Sequence, residues 1–364
     1  MQKQYWYEIA LSLIPETGPI LQRRLLDHFG EAALIFKARK KDLQYVEGIG
    51  ALLAKRIKEW DEFTLVEEEL RFTEQHHIQI YCINDKAYPT RLAACPDAPL
   101  LIYEKGHTPL NNTKMLSIIG TRNNTIYGKK VTEQLIAALP KDITIVSGLA
   151  FGIDAIAHSA AMDHQLPTIG VLAHGLNEMY PAQHKQLARE MIQQGALLTE
   201  FGKGVKADKH NFPRRNRIVA GLSDATIVIE TANKGGSMIT ADMAFHYNRE
   251  VFAVPGRIQD EKSSGCLQLI EQNKATVYTN VNNLLETLKW TATKKKKPML
   301  QLTIDTLPRA ANSILNILKN KETIYIDELK TIAALSDADL SEGLLVLELE
   351  QLISILPGKK ITLL

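Results

Sequence analysis

Short apolar runs alternate with segments of helical periodicity from about residue 79 to residue 290. This alternation is typical of a mostly parallel sheet covered by helices on both faces, because strands buried on both sides are apolar throughout. The pattern therefore predicts an α/β, Rossmann-like fold. The predicted strands are 116–119, 143–146, 168–172, 196–199, 225–229, 251–254 and 276–278. The predicted helices between them include 129–139, 153–163, 183–194, 214–221 and 237–248.

The first 70 residues have a different pattern, in which short amphipathic helices are separated by glycines. Residues 46–57 read V-E-G-I-G-A-L-L-A-K-R-I and resemble a helix-hairpin-helix. In that motif Gly48 and Gly50 leave bare amides before a helix that carries Lys55, and such amides can hold a phosphate. A packing hairpin or a protein-contact module accounts for these residues equally well. The predicted helices are 20–29, 32–38, 52–60 and 62–76.

The C-terminal part predicts three helices, at 311–319, 326–334 and 337–352, followed by a hairpin that turns at Pro357, Gly358 and Lys359. This order is typical of a winged helix-turn-helix. The third helix would enter a DNA groove, yet every charged residue between 337 and 352 is acidic. Because like charges repel phosphates, we favour protein contact or bracing of the fold over DNA reading.

These patterns divide the chain. We expect a helical, helix-hairpin-helix or SAM-like domain at 1–70 and a Rossmann-like domain at 71–290. Four consecutive lysines followed by a proline indicate a linker at 291–300, and a winged-helix domain occupies 301–364.

Composition adds limits to this picture. The 43 basic and 41 acidic side chains nearly cancel, so attraction to nucleic acid has to come from local clustering. Cys82, Cys95 and Cys266 are far apart and form no metal or redox motif, which favours a reducing compartment. The first residues lack a continuous apolar core, and no later segment is long and apolar enough to span a bilayer. We expect a soluble, cytoplasmic protein without membrane association.

Four loops that follow predicted strands carry candidate anion-binding residues. In open α/β sheets, ligands bind at the carboxyl ends of the strands, where such loops meet. The first loop begins Gly120-Thr121-Arg122, and its arginine can reach a phosphate with an always-charged planar group. The second contains Ser147-Gly148 and Gly152, whose amides face the same edge.

The third loop is the most cationic stretch of the chain. Between 203 and 217 six basic residues face a single acid, and Pro213 suits the first turn of a helix. Cations at a helix N-terminus are unfavourable unless an anion joins them, which favours a bound phosphate backbone over a solvated basic face. The candidates here are Arg214, Arg215, Asn216 and Arg217. The fourth loop offers glycines and hydroxyls at a helix start, in Lys234, Gly235, Gly236, Ser237 and Thr240.

Catalytic and cofactor motifs are missing from the sequence. The glycine spacing does not fit G-x-G-x-x-G, and no phosphate loop of the G-x-x-x-x-G-K type occurs, so we expect neither a dinucleotide nor a nucleotide-driven motor. Asp154 and His158 are four residues apart and could pair, but capping is the commoner role at a helix start. No histidine has zinc-ligand spacing. We expect no catalytic residue, no metal and no cofactor.

Taken in order, the motifs resemble those of the bacterial DNA-processing protein A (DprA/Smf) family. The resemblance covers residues 88–270 and is carried by Y-P-x-x-L at 88–92, the Gly-Thr-Arg loop, S-G-L-A-x-G-I-D-x-x-A-H at 147–158, F-P-R-R-N-R at 212–217, G-S-x-I-T at 236–240 and A-V-P-G at 253–256.

This resemblance implies single-stranded DNA binding in natural transformation and recombination, protection of that DNA and its delivery to the RecA recombinase. It also implies a homodimer formed through the Rossmann-like domain. The DNA-contacting basic positions carry over as Arg122 and, in Tyr180-Pro181-x-x-x-Lys185, as Lys185. Substitution of Arg122 or Arg217 by glutamate is expected to weaken binding and leave the fold intact.

Two other functions are compatible with this type of sheet. A nucleotide phosphoribohydrolase-like enzyme would carry P-G-G-x-G-T-x-x-E in the fourth loop, whereas residues 233–242 read N-K-G-G-S-M-I-T-A-D and lack the catalytic glutamate. A pure adaptor would recruit recombination proteins through its terminal domains and would have no working groove.

Overall fold

The computed structural model describes residues 3–291, 307–318, 321, 323–350, 352–356 and 360–363. The chain forms two compact units, Met1–Thr291 and Ala292–Leu364. The predicted lysine-rich linker after residue 291 and the predicted turn at 357–359 lie outside the described residues.

Six helices precede the sheet in the described N-terminal residues. They pack around a core that includes Ile9, Leu25, Ile57 and Val66 and that continues into the first two strands of the sheet. Pro19 and Ala51 each begin a helix directly after a glycine, and the second of these matches the glycine turn at 46–57 noted in the sequence. The first and fourth helices were not predicted. The bounds are α1 Trp6–Leu13, α2 Pro19–Phe29, α3 Ala32–Lys37, α4 Lys40–Leu43, α5 Ala51–Glu59 and α6 Phe63–Gln75.

Nine strands among residues 3–291 form one sheet in the order β1-β2-β6-β5-β4-β3-β7-β8-β9. The strands are β1 Gln79–Cys82, β2 Leu101–Gly106, β3 Met115–Ile119, β4 Thr144–Gly148, β5 Thr168–Val171, β6 Ala196–Thr199, β7 Ala225–Val228, β8 Glu250–Ala253 and β9 Thr276–Val277. β1 pairs antiparallel with β2 and β2 antiparallel with β6, while the other pairs are parallel. The predicted mostly parallel α/β sheet is confirmed, and β1 and β2 are additions to it.

Helices cover both faces of this sheet. The helices are α7 Thr90–Ala93, α8 Ile126–Ala138, α9 Ile153–Asp163, α10 Lys185–Gln194, α11 Asn211–Leu222, α12 Gly236–His246, α13 Ser264–Glu271 and α14 Val281–Thr287. On one face, Leu116 and Ile118 of β3 pack with residues of α8, α9 and α14. On the other, Met115 and Ile119 pack with residues of α7, α11, α12 and α13. Alternate side chains of one strand thus serve two cores, as expected of a strand buried on both sides.

The C-terminal unit has three helices and a three-stranded antiparallel sheet among its described residues. Ile314, Leu329, Leu347 and Ile361 contribute to its core. The side-chain oxygen of Ser336 accepts a hydrogen bond from the Asp339 amide at 3.2 Å and so caps the helix that begins at Asp337. The elements are α15 Arg309–Leu318, β10 Thr323–Tyr325, α16 Ile326–Ala333, α17 Asp337–Leu349, β11 Ile353–Leu356 and β12 Lys360–Leu363. Within the described parts of the chain, no helix has the length and hydropathy of a membrane span.

Candidate nucleic-acid interface

A groove of about 850 Å³ lies at the carboxyl ends of the central strands. The chain continues from β3 through β4, β5 and β6 on one side and returns to β7 on the other, so β3 is the point at which the strand order reverses. Loops that leave neighbouring strands in opposite directions open a crevice at such a point. All four candidate loops contribute to it, through Gly120–Arg122, Gly148, Ala150, Asp154, Ala207–Lys209, Phe212, Pro213, Arg215, Asn216, Gly235–Ser237 and Thr240.

Glu230 fixes the Gly-Thr-Arg loop. Its backbone carbonyl accepts from the Thr121 amide at 2.7 Å, and its carboxylate accepts from the Thr125 amide at 2.9 Å and from the Thr125 hydroxyl. Thr125 in turn caps α8 by accepting from the Gly128 amide at 3.1 Å. Both ends of the loop are held by this one buried residue, and Arg122 between them is exposed on the groove. The sequence had not singled out Glu230 for this role.

Aromatic side chains form part of the wall beside Arg122. The guanidinium carbon of Arg122 lies 4.9 Å from the ring centroid of Phe212. Tyr180, which is 49% exposed, meets Phe212 edge to face at 5.8 Å. Phe151 is 42% exposed and contacts the ring of His184. A small cavity that adjoins the groove is lined by Phe151, Tyr180 and Phe212 together.

These aromatic residues were missed as site residues. Phe212 and Tyr180 both stand in motifs noted in the sequence, but their meeting depends on loops that follow different strands. The sequence signal that could have identified them is an aromatic residue within a motif that also carries basic residues.

Arg215 forms part of the groove floor. Its side chain is buried, and Nη1 donates to the Val171 carbonyl at 2.8 Å. A Cβ on Gly148 would overlap this guanidinium, so glycine is required there for close approach. Burial raises the pKa of the neighbouring Asp154 carboxyl, and the positive charge of Arg215 opposes that rise. The guanidinium of Arg215 is therefore held in the floor of the groove by a backbone carbonyl and is not a free arginine.

Arg214 and Arg217 lie on a different face of α11 and do not line the groove. Arg217 is buried and forms an ion pair with the buried Glu200, which ends its availability to a ligand. Arg214 is exposed, contacts the same carboxylate at 3.4 Å and lies over the ring of Phe201. The structure does not bring Arg217 to the groove with Arg122, and its burial against Glu200 leads us to expect that Arg217→Glu lowers stability. Residues 212, 215 and 216 share the groove face because a helix repeats every 3.6 residues.

Ser147 is also too deep to bind a ligand. Its side chain is fully buried, and Oγ donates to the Ile118 carbonyl at 2.6 Å, which ties β4 to β3. Gly152 packs against the backbone of Thr121 and Arg122 and so supports the first loop from behind.

The lysines differ from expectation as well. Lys185 is exposed at the start of α10, and Lys234 is exposed just before α12, but neither lines the groove. Lys209 does line it and is exposed, although it was not chosen as a contact. The cationic segment 203–217 therefore contributes Lys209 and Arg215 to the groove.

The N-terminus of α12 faces the groove with an unused donor. Gly235 precedes the helix, and Gly236, Ser237 and Thr240 line the cavity. The Ser237 hydroxyl is buried and has no hydrogen-bond partner among the described residues. Free amides and the positive end of the helix dipole make this an anion-receptive end.

Asp154 and His158 do not form an acid–base pair. His158 is fully buried, and its Nε2 donates to the Gly148 carbonyl at 2.6 Å while Nδ1 accepts from the Thr168 hydroxyl at 2.7 Å. Burial lowers the pKa of His158 to about 4. The imidazole is therefore neutral near pH 7 and braces the second loop.

The N-terminal glycine turn lies before α5. Gly48 has a φ of +89°, which favours glycine, and Gly50 is the residue directly before the helix. Lys55 is exposed and lies 3.9 Å from Glu59. These residues belong to the same compact unit as the sheet but are not among the residues that line the groove.

The fold and the groove define a doubly wound α/β protein with a cationic cleft at its switch point. Residues 79–289 match the family described as DNA recombination-mediator protein A. The chain therefore belongs to the DNA-processing protein A (DprA/Smf) family, and the resemblance found in the sequence is confirmed.

Relatives in this family match the chain over most of its length. Protein Smf of Synechocystis sp. is 33% identical over 99% of this chain and 98% of its own. The X-ray structure of DNA processing protein A from Streptococcus pneumoniae superposes with a TM-score of 0.69 at 31% identity, covering 77% of this chain and 97% of that one. The Helicobacter pylori protein, described for a unique single-stranded DNA binding mode, gives a TM-score of 0.53 at 33% identity and covers 59% and 98% of the two chains. The family relationship supports a DNA-processing role in recombination.

Proposed function

We propose that this chain binds single-stranded DNA in recombination and holds it in the groove without reading its sequence. The observation that carries the proposal is that three separate loops bring Arg122, Lys209 and the N-terminus of α12 to one cleft, beside Gly148 of a fourth loop. The Helicobacter pylori relative, described as a single-stranded DNA binder, supports the same ligand class.

Phosphates are the groups that this cleft addresses. Arg122 and Lys209 supply exposed charge, and the buried Ser237 hydroxyl at the start of α12 supplies a donor that has no hydrogen-bond partner among the described residues. Contacts of this kind hold a backbone and carry no base information. Affinity should therefore fall with salt, by about 0.7 in log K per log unit of salt for each phosphate contact.

Bases are accommodated by stacking. Phe212 lies beside the groove with Arg122 over its face, and Tyr180 and Phe151 continue the aromatic wall into the adjoining cavity. Aromatic faces bind any base, and only an unpaired base can reach them. This favours single strands over duplex.

The wider role follows the family. We propose that the chain protects single-stranded DNA and helps to load the RecA recombinase onto it in natural transformation or general recombination, as a cytoplasmic homodimer formed through the α/β sheet domain. We place the domain borders near residue 70 and at the linker 291–300. The helix-hairpin-helix or SAM-like part is proposed to make a secondary DNA contact through Gly48, Gly50 and Lys55. The C-terminal unit is proposed as a winged helix used for protein contact, since α17 is acidic.

The chain is proposed to act as a binding protein rather than an enzyme. The aspartate and histidine that could have served as an acid–base pair have separate partners, and the histidine is closed off from the groove. Incubation with nucleoside monophosphates should release no free base. Appearance of free base would favour the phosphoribohydrolase alternative.

A titration with labelled oligonucleotides tests the proposal. Wild-type protein should bind single strands more tightly than duplex of the same length at moderate salt. Arg122→Glu should weaken single-strand binding, because it places an acid at the tip of the first loop. Lys130→Glu makes the same charge change at an exposed site on α8 outside the groove and should have little effect. Equal binding by both variants would remove the groove proposal and favour the adaptor.

A further inference from the structure

The helices before the sheet hold the loop that follows β6. Glu69 of α6 is 5% exposed, and its Oε2 accepts a hydrogen bond from the Lys203 backbone amide at 2.7 Å. The adjacent Glu68 contacts the Lys203 ammonium at 3.2 Å, but both of those side chains are largely exposed. Exposed ion pairs contribute little, whereas a buried carboxylate must keep its hydrogen bonds. The main link between α6 and the loop is therefore the hydrogen bond that the Lys203 amide donates to Glu69.

A second loop is bonded to the first. Leu176, in the loop after β5, packs against the hydrophobic core that the N-terminal helices share with β1 and β2. The Asn177 side chain accepts from the Gly204 amide at 2.8 Å, and the Gly175 amide donates to the Val205 carbonyl at 2.8 Å. The two loops are thus bonded to each other, and Glu69 links the loop after β6 to α6.

Both anchored loops continue into the groove. The loop after β5 leads within four residues from Leu176 to Tyr180, which lines the groove. The loop after β6 leads from Lys203 to Lys209 and Phe212, which also line it. One outer wall of the groove is therefore held in place by Glu69 of α6 and by the packing of Leu176 against the core that includes the N-terminal helices.

We propose that Glu69 is a positioning residue for nucleic-acid binding, which holds the cationic segment 203–209 in place and so makes the N-terminal helices part of the groove's machinery. The proposal rests on the function proposed above. It assigns the helical part a role in shaping the groove that is independent of any DNA contact by its glycine turn. Burial raises the pKa of the Glu69 carboxyl, and the Lys203 amide opposes that rise.

For Glu69→Leu, the loss of negative charge and the loss of the hydrogen bond to Lys203 predict opposite changes in DNA affinity. Removal of a negative charge near a cationic groove should strengthen binding to a polyanion if charge alone matters. Loss of the bond to Lys203 should instead free the segment and weaken binding, because an ordered site loses less entropy on binding. We expect about a tenfold loss of affinity for labelled oligothymidylate, equivalent to about 1.4 kcal/mol. Backbone amides between 203 and 209 should exchange hydrogen faster in the free protein.

Three further variants separate the explanations. Glu69→Gln keeps an oxygen acceptor and should restore both affinity and slow exchange. Glu68→Gln removes an equal charge one residue away and should stay within about twofold of wild type. Asn177→Ala removes the side-chain bond between the two loops at an exposed position, so it should remain folded and should weaken binding in the same direction as Glu69→Leu.

The inference is overturned if Glu69→Leu binds as tightly as wild type with unchanged exchange, or if Glu69→Gln behaves like Glu69→Leu. Should the wild-type chain not bind oligothymidylate at all, the proposed function fails and the binding role of Glu69 fails with it. If instead wild type binds and the Glu69 variants bind equally well, only the inference about Glu69 fails.

Discussion

Arg122 and Phe212 lie against each other at the groove, with the guanidinium carbon 4.9 Å from the ring centroid. Arg122 follows β3 and Phe212 lies in the first turn of α11, so two elements far apart in the chain bring charge and an aromatic face together. A cation held over a ring is restricted in its motion and still presents its edge to a phosphate. The pair can therefore hold a backbone group and a base side by side.

The aromatic half of this pair gives the first prediction. Phe212→Leu should weaken single-strand binding by about 1–3 kcal/mol, because a leucine offers no face for base stacking. The dependence of affinity on salt should change little, since no phosphate contact is removed. Fluorescence titration at several salt concentrations measures both quantities. Phe245→Leu alters an exposed phenylalanine of α12 outside the groove and should leave affinity unchanged; equal losses in the two variants would contradict a specific stacking role.

The buried ion pair gives a prediction about stability. Arg217→Met should lower the free energy of unfolding by about 3 kcal/mol, because the buried Glu200 carboxylate loses its buried partner and keeps only the exposed Arg214 beside it. Arg214→Met should cost less than about 1 kcal/mol, since its side chain is 52% exposed. Urea denaturation measures both. The double variant Arg217→Met, Glu200→Gln should recover part of the loss, and a full loss in the double variant would show that packing rather than charge is responsible.

The carboxyl-edge site could be predicted because parallel strands end at the same edge, so the loops of Gly120 and Gly148 had to converge there. The sequence could not show which side of α11 faces the groove. Arg215 faces it and Arg217 faces away, because Arg217 pairs with Glu200, which directly follows β6. Lys209 was passed over for Lys185 because spacing along the chain does not show which lysine reaches the cleft.

The missed strands have a similar explanation. β1 reads Q-I-Y-C, a four-residue edge strand with alternating burial, and β2 pairs antiparallel on both sides. Neither resembles the continuous apolar runs by which the parallel strands were recognised. Ser147 was misplaced for a related reason, because a polar residue at a strand end can point into the core when a carbonyl accepts its hydroxyl.

His158 predicts how stability depends on pH. Burial lowers its pKa to about 4 in the folded protein from the ordinary histidine value of 6.5, so the unfolded chain binds the proton more readily. Its contribution to stability is complete above about 6.5 and is lost as the pH falls through the folded value. The loss is on the order of 3 kcal/mol, since one pKa unit corresponds to about 1.4 kcal/mol.

The histidine variant isolates this effect. His158→Gln keeps a donor for the Gly148 carbonyl and should be less stable than wild type near pH 7. The difference between the two proteins in the free energy of unfolding, measured by chemical denaturation, should shrink as the pH falls from 6.5 to 4. A difference that stays constant with pH would mean that His158 is not the neutral, buried group described above.

The salt dependence of single-strand binding tests the central claim most directly, that the cleft is a phosphate-binding site. The slope of log affinity against log salt should fall by about 0.7 in Arg122→Gln, by a similar amount in Lys209→Gln and by about twice that in the double variant. Lys130→Gln should leave the slope at the wild-type value. Equal slopes in wild type and the double variant would contradict the account, because DNA would then be held somewhere other than the groove.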